Sequence, residues 1–138
     1  MDPHHPVVVA LPIADRRRAH DFYRAVLGSA AIGEPADDGI AEPLQFELND
    51  GFRIMLVPSD GFGWIIGDRT VAPDGSSECV VTLTVDDDRE VDRLMGAAVA
   101  AGAATVIAAG SQPWGHAAAF ADPDGHVWML MSPGVASG

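Results

Sequence analysis

Lysine is absent from this chain, cysteine occurs once, and no apolar run is long. Each scarcity excludes something. With Cys79 alone, an intrachain disulfide is impossible, and a reducing, cytoplasmic setting is expected. The longest apolar run near the start, Pro6 to Ala14, is far short of the roughly 20 residues that cross a bilayer. Arg16, Arg17 and Arg18 follow that run instead of preceding it, the wrong order for a secretory signal. No membrane partner is expected. Eight arginines face 20 acidic residues, for a formal net charge of −12. Such a field repels a phosphate backbone, so nucleic acid is not expected as a partner. The field either draws in cationic ligands or only keeps the chain dispersed. At 138 residues, 48% hydrophobic and 20% charged, the chain fits one globular domain.

The chain repeats itself. Val8–Asp15 and Val80–Asp87 are both β-branched apolar runs ending in aspartate, 72 positions apart. Each reads as a buried strand running into a helix cap. Ala19, Phe22, Tyr23, Val26 and Leu27 then lie over Val91, Leu94, Met95, Ala98 and Val99 at the same offset. Both sets follow the i, i+3, i+4, i+7, i+8 spacing of one helix stripe. Asp15 can cap the first helix, and Asp87 or Asp88 the second. Gly28 and Gly102 stand where the helices should stop. Further on, Phe46, Asp50, Gly51, Met55 and Leu56 lie over Phe120, Asp124, Gly125, Met129 and Leu130, 74 positions apart. In each copy Asp-Gly separates two apolar runs, a hairpin signal.

The expected unit is therefore strand, helix, then about three strands. Leu44–Leu48 with Phe52–Val57 forms the first hairpin, and Ala117–Ala121 with His126–Met131 the second. A further strand is expected near Thr105–Ala108, with a weaker counterpart at Ala30–Gly33. The fold class is α+β: residues 6–58 form one module, 79–133 the other, and 59–78 a linker or lid. Phe62, Trp64, Ile65 and Ile66 lie in that linker and can fold back over apolar surface. The tail from Pro133 reads as loose.

Two stretches carry a resemblance to a known family. They are Ala14–Asp15 through His20–Asp21–Phe22–Tyr23–Arg24–Ala25–Val26–Leu27–Gly28, and Phe120–Ala121–Asp122–Pro123–Asp124–Gly125–His126–Val127–Trp128. Over nearly its whole length the chain resembles the vicinal oxygen chelate superfamily, which includes glyoxalase I, extradiol dioxygenases and the bleomycin- and fosfomycin-resistance proteins. It looks closest to the uncharacterised glyoxalase-like branch. The resemblance implies two βαβββ modules, each a half-barrel mixed sheet with a helix on its convex face, and a homodimer. In the metal enzymes it also implies one ligand on the first strand and one on the last strand of each module. Carried over residue by residue, those positions are Val8, Met55, Val80 and Met129. Valine has no donor atom, and a thioether is too soft for Mg, Mn, Fe(II) or Zn. Glyoxalase I and extradiol dioxygenase activity are therefore disfavoured, and no metal or other cofactor is expected.

Strand alternation then puts Val8, Ala10, Pro12, Arg53, Met55 and Val57 on one face of the first module. It puts Val80, Thr82, Thr84, Val127, Met129 and Met131 on one face of the second. Such faces are either the apolar walls of a pocket or ordinary core. The expected ligand-binding residues are Val8, Arg53, Met55, Trp64, Val80, Thr82, Trp114, His116 and Met129. His116 is the one weak catalytic candidate, either a base near neutral pH or a strand-edge residue. Glu47 and Glu78 are carboxylates without a visible partner. The expected function is metal-independent binding of a hydrophobic or aromatic small molecule, in the manner of the drug-sequestering members. The alternative is a lyase or isomerase using His116, Glu78 or Arg53, or a metal held by other ligands.

Overall fold

The computed structural model describes residues 2–67 and 69–133. The chain divides into two compact units, Met1–Pro73 and Asp74–Gly138. The division falls inside the segment read as a linker.

In the first unit, β1 (Val7–Ile13) leads into α1 (Arg16–Leu27) through Asp15. The Asp15 carboxylate accepts the Arg18 N–H at 3.0 Å, satisfying one of the donors that a helix start leaves open. Gly28 ends the helix in the left-handed conformation. Ala19, Phe22, Tyr23 and Val26 are buried along one stripe, and α1 lays them on β2 (Leu44–Asn49) and β3 (Phe52–Pro58). There they meet Leu44, Phe46, Ile54 and Leu56, each exposed by no more than 1%. Burying each large side chain of this set contributes about 1.5–3 kcal/mol. The sheet order is β1-β3-β2, with β1 parallel to β3 and β2 antiparallel to it.

The second unit repeats the plan with one strand more. β4 (Val80–Thr84) runs into α3 (Asp88–Ala100), whose cap is Asp87, accepting the Glu90 N–H at 2.9 Å. β5 (Ala104–Gln112), β6 (Gly115–Ala121) and β7 (Val127–Met131) complete a sheet of order β4-β7-β6-β5. Val91, Leu94, Met95 and Ala98 of α3 are buried, as are Ala118, Phe120, Trp128 and Leu130 of the sheet. Phe120 and Trp128 pair across the ladder, their rings stacked 4° from parallel with centroids 6.2 Å apart. Between β6 and β7 the Asp122 carboxylate is buried and accepts the N–H groups of Asp124 and His126. That closes the Asp122–Gly125 turn, where Gly125 has φ +92°.

Two expectations are corrected. The weak strand at Ala30–Gly33 does not form: Ile32 N–H reaches the Gln45 carbonyl, and the rest is loop. Gly33, at φ +93°, breaks the extended backbone a strand needs. That loop is held from α1 instead. The Arg16 guanidinium donates to the carbonyls of Ile40 and Ala41 and pairs with Glu42 at 2.9 Å. The segment 59–78 is not all linker, because Ser59–Ile66 is a helix, α2. Its two glycines lower helix propensity and hid it in the sequence. Packing supplies what propensity lacks: Ser59 Oγ donates to the Ile13 carbonyl, and α2 contacts β1 and β3. The tail after Pro133 lies outside the described residues. No described helix is long and apolar enough to cross a membrane.

Candidate functional site

Each sheet has one face under its helix and one facing away. In the first unit Ile54 and Leu56 are buried under α1, while their neighbours Arg53, Met55 and Val57 are half-buried on the other face. The ladder places Val8 beside Arg53 and Arg53 beside Glu47. It places Ala10 beside Met55 and Met55 beside Gln45, then Pro12 beside Val57. Val8 is 39% exposed. In the second unit Trp128 and Leu130 are buried, while Val127, Met129 and Met131 are half-buried on the far face. There the rows are Val80–Val127–Ala121, Thr82–Met129–Ala119 and Thr84–Met131–Ala117.

The structure thus groups Val8, Arg53 and Met55 on one face of the first unit, and Val80, Thr82 and Met129 on one face of the second. Val8 stands two residues from the partner of Met55 along β1, and Val80 two residues from the partner of Met129 along β4. These four side chains therefore hold equivalent places in the two units. They do not fit a hard divalent ion, since two have no donor and two offer only a thioether. Among the described residues, no three His, Cys, Asp or Glu side chains converge as a metal site requires.

The remaining expected site residues are scattered. Trp64 is 85% exposed on α2. That helix begins over the far face of its own sheet, because a methyl group added at Gly61 would come 3.2 Å from Cγ1 of Val57. Trp114 is exposed in the turn between β5 and β6, off the end of the sheet. His116 is not brought together with Thr82 and Met129. It alternates with Ala117 and so shares the helix-covered face with Ala118 and Phe120. Its Nε2 lies 2.8 Å from Oδ1 of Asp92 on α3, and that hydrogen bond raises its pKa above the ordinary 6.5. Asp88, one turn earlier on α3, also raises it and accepts the Ser132 hydroxyl at 2.6 Å. This network ties α3 to the end of the sheet, behind the far face. Glu78 is exposed ahead of β4. Sequence reasoning left Glu47 without a partner; strand register puts Arg53 directly opposite it. The 74-residue offset held that signal, since it sets the pair over Ala121 and Val127, which also pair.

Two strand–helix–sheet units in tandem, one with a three-stranded and one with a four-stranded mixed sheet, each with a face turned from its helix, define an α+β protein consistent with repeated βαβββ modules. A profile of the Glyoxalase/Bleomycin resistance protein/Dioxygenase superfamily matches residues 5–130, and the chain belongs to that superfamily. No curated protein matches the sequence. Among solved structures, the chain is similar to a glyoxalase-related enzyme from Fulvimarina pelagi, at 26% identity and a TM-score of 0.77, over 91% of this chain and 86% of that one. It is similar to TnmS3, an antibiotic binding protein from Streptomyces sp. CB03234, at 27% identity and a TM-score of 0.63, over 96% and 98% of the two chains. It also shares its fold with hypothetical protein SA1046 from S. aureus, at 20% identity and a TM-score of 0.78, over 91% of each chain.

Proposed function

We propose that this protein binds a small molecule without a metal, and that its ligand is hydrophobic or aromatic, with cationic compounds preferred. One observation carries the reading. Val8, Met55, Val80 and Met129 occupy equivalent places on the faces turned from α1 and α3, at the positions where the family resemblance implies ligands in the metal enzymes. Methionine walls are polarisable and adapt to ligands of varied shape. The net charge of −12 favours cations on approach. The likeness to TnmS3 over nearly the whole chain points the same way. Arg53 supplies a polar contact on the face of the first unit, and Thr82 one on the face of the second. The reading has the protein act as a homodimer in the cytoplasm and lower the free concentration of its ligand by stoichiometric capture, as an antibiotic-resistance protein would.

A thermal-shift screen with planar cationic antibiotics and aromatic metabolites, run in EDTA, tests this. A saturable rise in melting temperature with at least one compound is expected, because a ligand that binds only the folded chain stabilises it. A screen in which no compound shifts the transition, or in which shifts appear only when a divalent metal is restored, would contradict it.

A further inference from the structure

At one matched pair of positions the two copies of the repeat differ in charge. Glu47 and Arg53 lie directly opposite one another on β2 and β3. The residues 74 positions on, Ala121 and Val127, lie directly opposite one another on β6 and β7. One copy of the repeat thus carries a carboxylate and a guanidinium where the other carries two apolar side chains. Directly opposed residues of an antiparallel ladder share a face, with Cβ atoms about 5 Å apart. That face is the one turned from α1, since Ile54 and Phe46 are fully buried beneath the helix. On the paired rows of the two faces turned from α1 and α3, Glu47 and Arg53 are the only charged side chains among the described residues.

Neither group is tied down. Glu47 is exposed and Arg53 half-buried, and among the described residues no hydrogen bond or ion pair engages either side chain. Arg16 and Arg93, by contrast, are both bonded to carboxylates. A carboxylate only accepts and a guanidinium only donates. A ligand group that satisfies both must carry a donor and an acceptor side by side. The charged version is an ammonium next to a carboxylate, the latter suited to bidentate contact with arginine. Beyond this polar row lie Ala10, Met55 and Gln45, then Pro12 and Val57 beneath the start of α2.

We propose that the face of the first unit turned from α1 recognises a zwitterionic amino-acid head joined to an apolar or aromatic body, with Glu47 taking the ammonium, Arg53 the carboxylate, and Met55 and Val57 the body. This rests on the small-molecule-binding reading and adds to it the polarity of the ligand.

The test is an NMR titration of ¹⁵N-labelled full-length protein with tryptophan, tryptamine, indole-3-propionate and indole. Tryptophan should bind tightest, by at least about tenfold over indole, given two charge-assisted contacts. E47Q should reduce tryptophan to the affinity of indole-3-propionate, and R53Q to that of tryptamine. M55A should weaken all four alike. Equal affinities for the four probes, unmoved by E47Q and R53Q, would overturn the head-group assignment and leave ligand binding intact. So would no response to tryptophan in protein that binds a hit from the thermal-shift screen. If neither tryptophan nor any screened compound binds, both readings fall.

Discussion

Met55 and Met129 hold the same place in two separate ladders. Met55 pairs with Ala10 of the parallel neighbour β1, and Met129 pairs with Thr82 of the parallel neighbour β4. Each is half-buried and is flanked in sequence by fully buried residues, Ile54 and Leu56 in one case and Trp128 and Leu130 in the other. This alternation separates the side chains that hold the fold from those free to serve a ligand.

Stability and binding should therefore divide between neighbouring residues. Leu56→Ala and Leu130→Ala, at sites exposed by 1% and 0%, should each cost about 2–5 kcal/mol in urea unfolding. Met55→Ala and Met129→Ala should cost less than these and should weaken the best hit of the ligand screen. Equal costs for both pairs would show that the far faces are ordinary core.

Asp87→Ala removes the carboxylate that accepts the Glu90 N–H. A cost of about 1 kcal/mol is expected in chemical denaturation, with an unchanged denaturant slope.

Gly125→Ala should destabilise the second unit by about 1–2 kcal/mol, because its φ of +92° suits only glycine well. The new methyl group would also collide with the Asp74 carboxylate. Asp74→Ala on top of Gly125→Ala should relieve the collision and leave the backbone strain, so the melting temperature recovers only in part.

The fold was legible in the sequence wherever a repeat and a period coincided. The stripes beginning at Ala19 and Val91 became α1 and α3, capped by Asp15 and Asp87 as the spacing predicts. What failed to show depended on tertiary contacts. The glycines at 61 and 63 disguised α2, which is positioned by contacts with β1 and β3. The Ala30–Gly33 segment looked like a strand by analogy with the second copy, but Arg16 secures the following loop through Ile40 and Ala41 instead. Of the expected site residues, those on strands fell onto faces that alternation predicts. Trp64 lies on a helix and Trp114 in a turn, where strand alternation does not apply, and His116 lies on β6 just ahead of the strand expected from Ala117, on its helix-covered face.

His116 gives a pH dependence of definite sign. The Asp92 hydrogen bond, its largest influence, and the charges of Asp92 and Asp88 raise its pKa above 6.5, against a smaller opposing effect of desolvation. A raised pKa contributes stability that is fully present below the unfolded value and is lost as pH rises through the folded value. Between about pH 5.5 and 8.5, wild-type stability should therefore fall relative to His116→Gln, since histidine titrates in this range. Parallel urea midpoints for the two proteins across that range would show that the contact is inert.

The most direct measurement is calorimetric titration of metal-stripped protein with the best screen hit, in EDTA and again with added Zn²⁺, Mn²⁺ or Fe²⁺. Saturable binding with one dissociation constant under all these conditions, weakened in Met55→Ala and Met129→Ala, is the predicted result. Binding that vanishes on stripping and returns with a stoichiometric metal ion would contradict it.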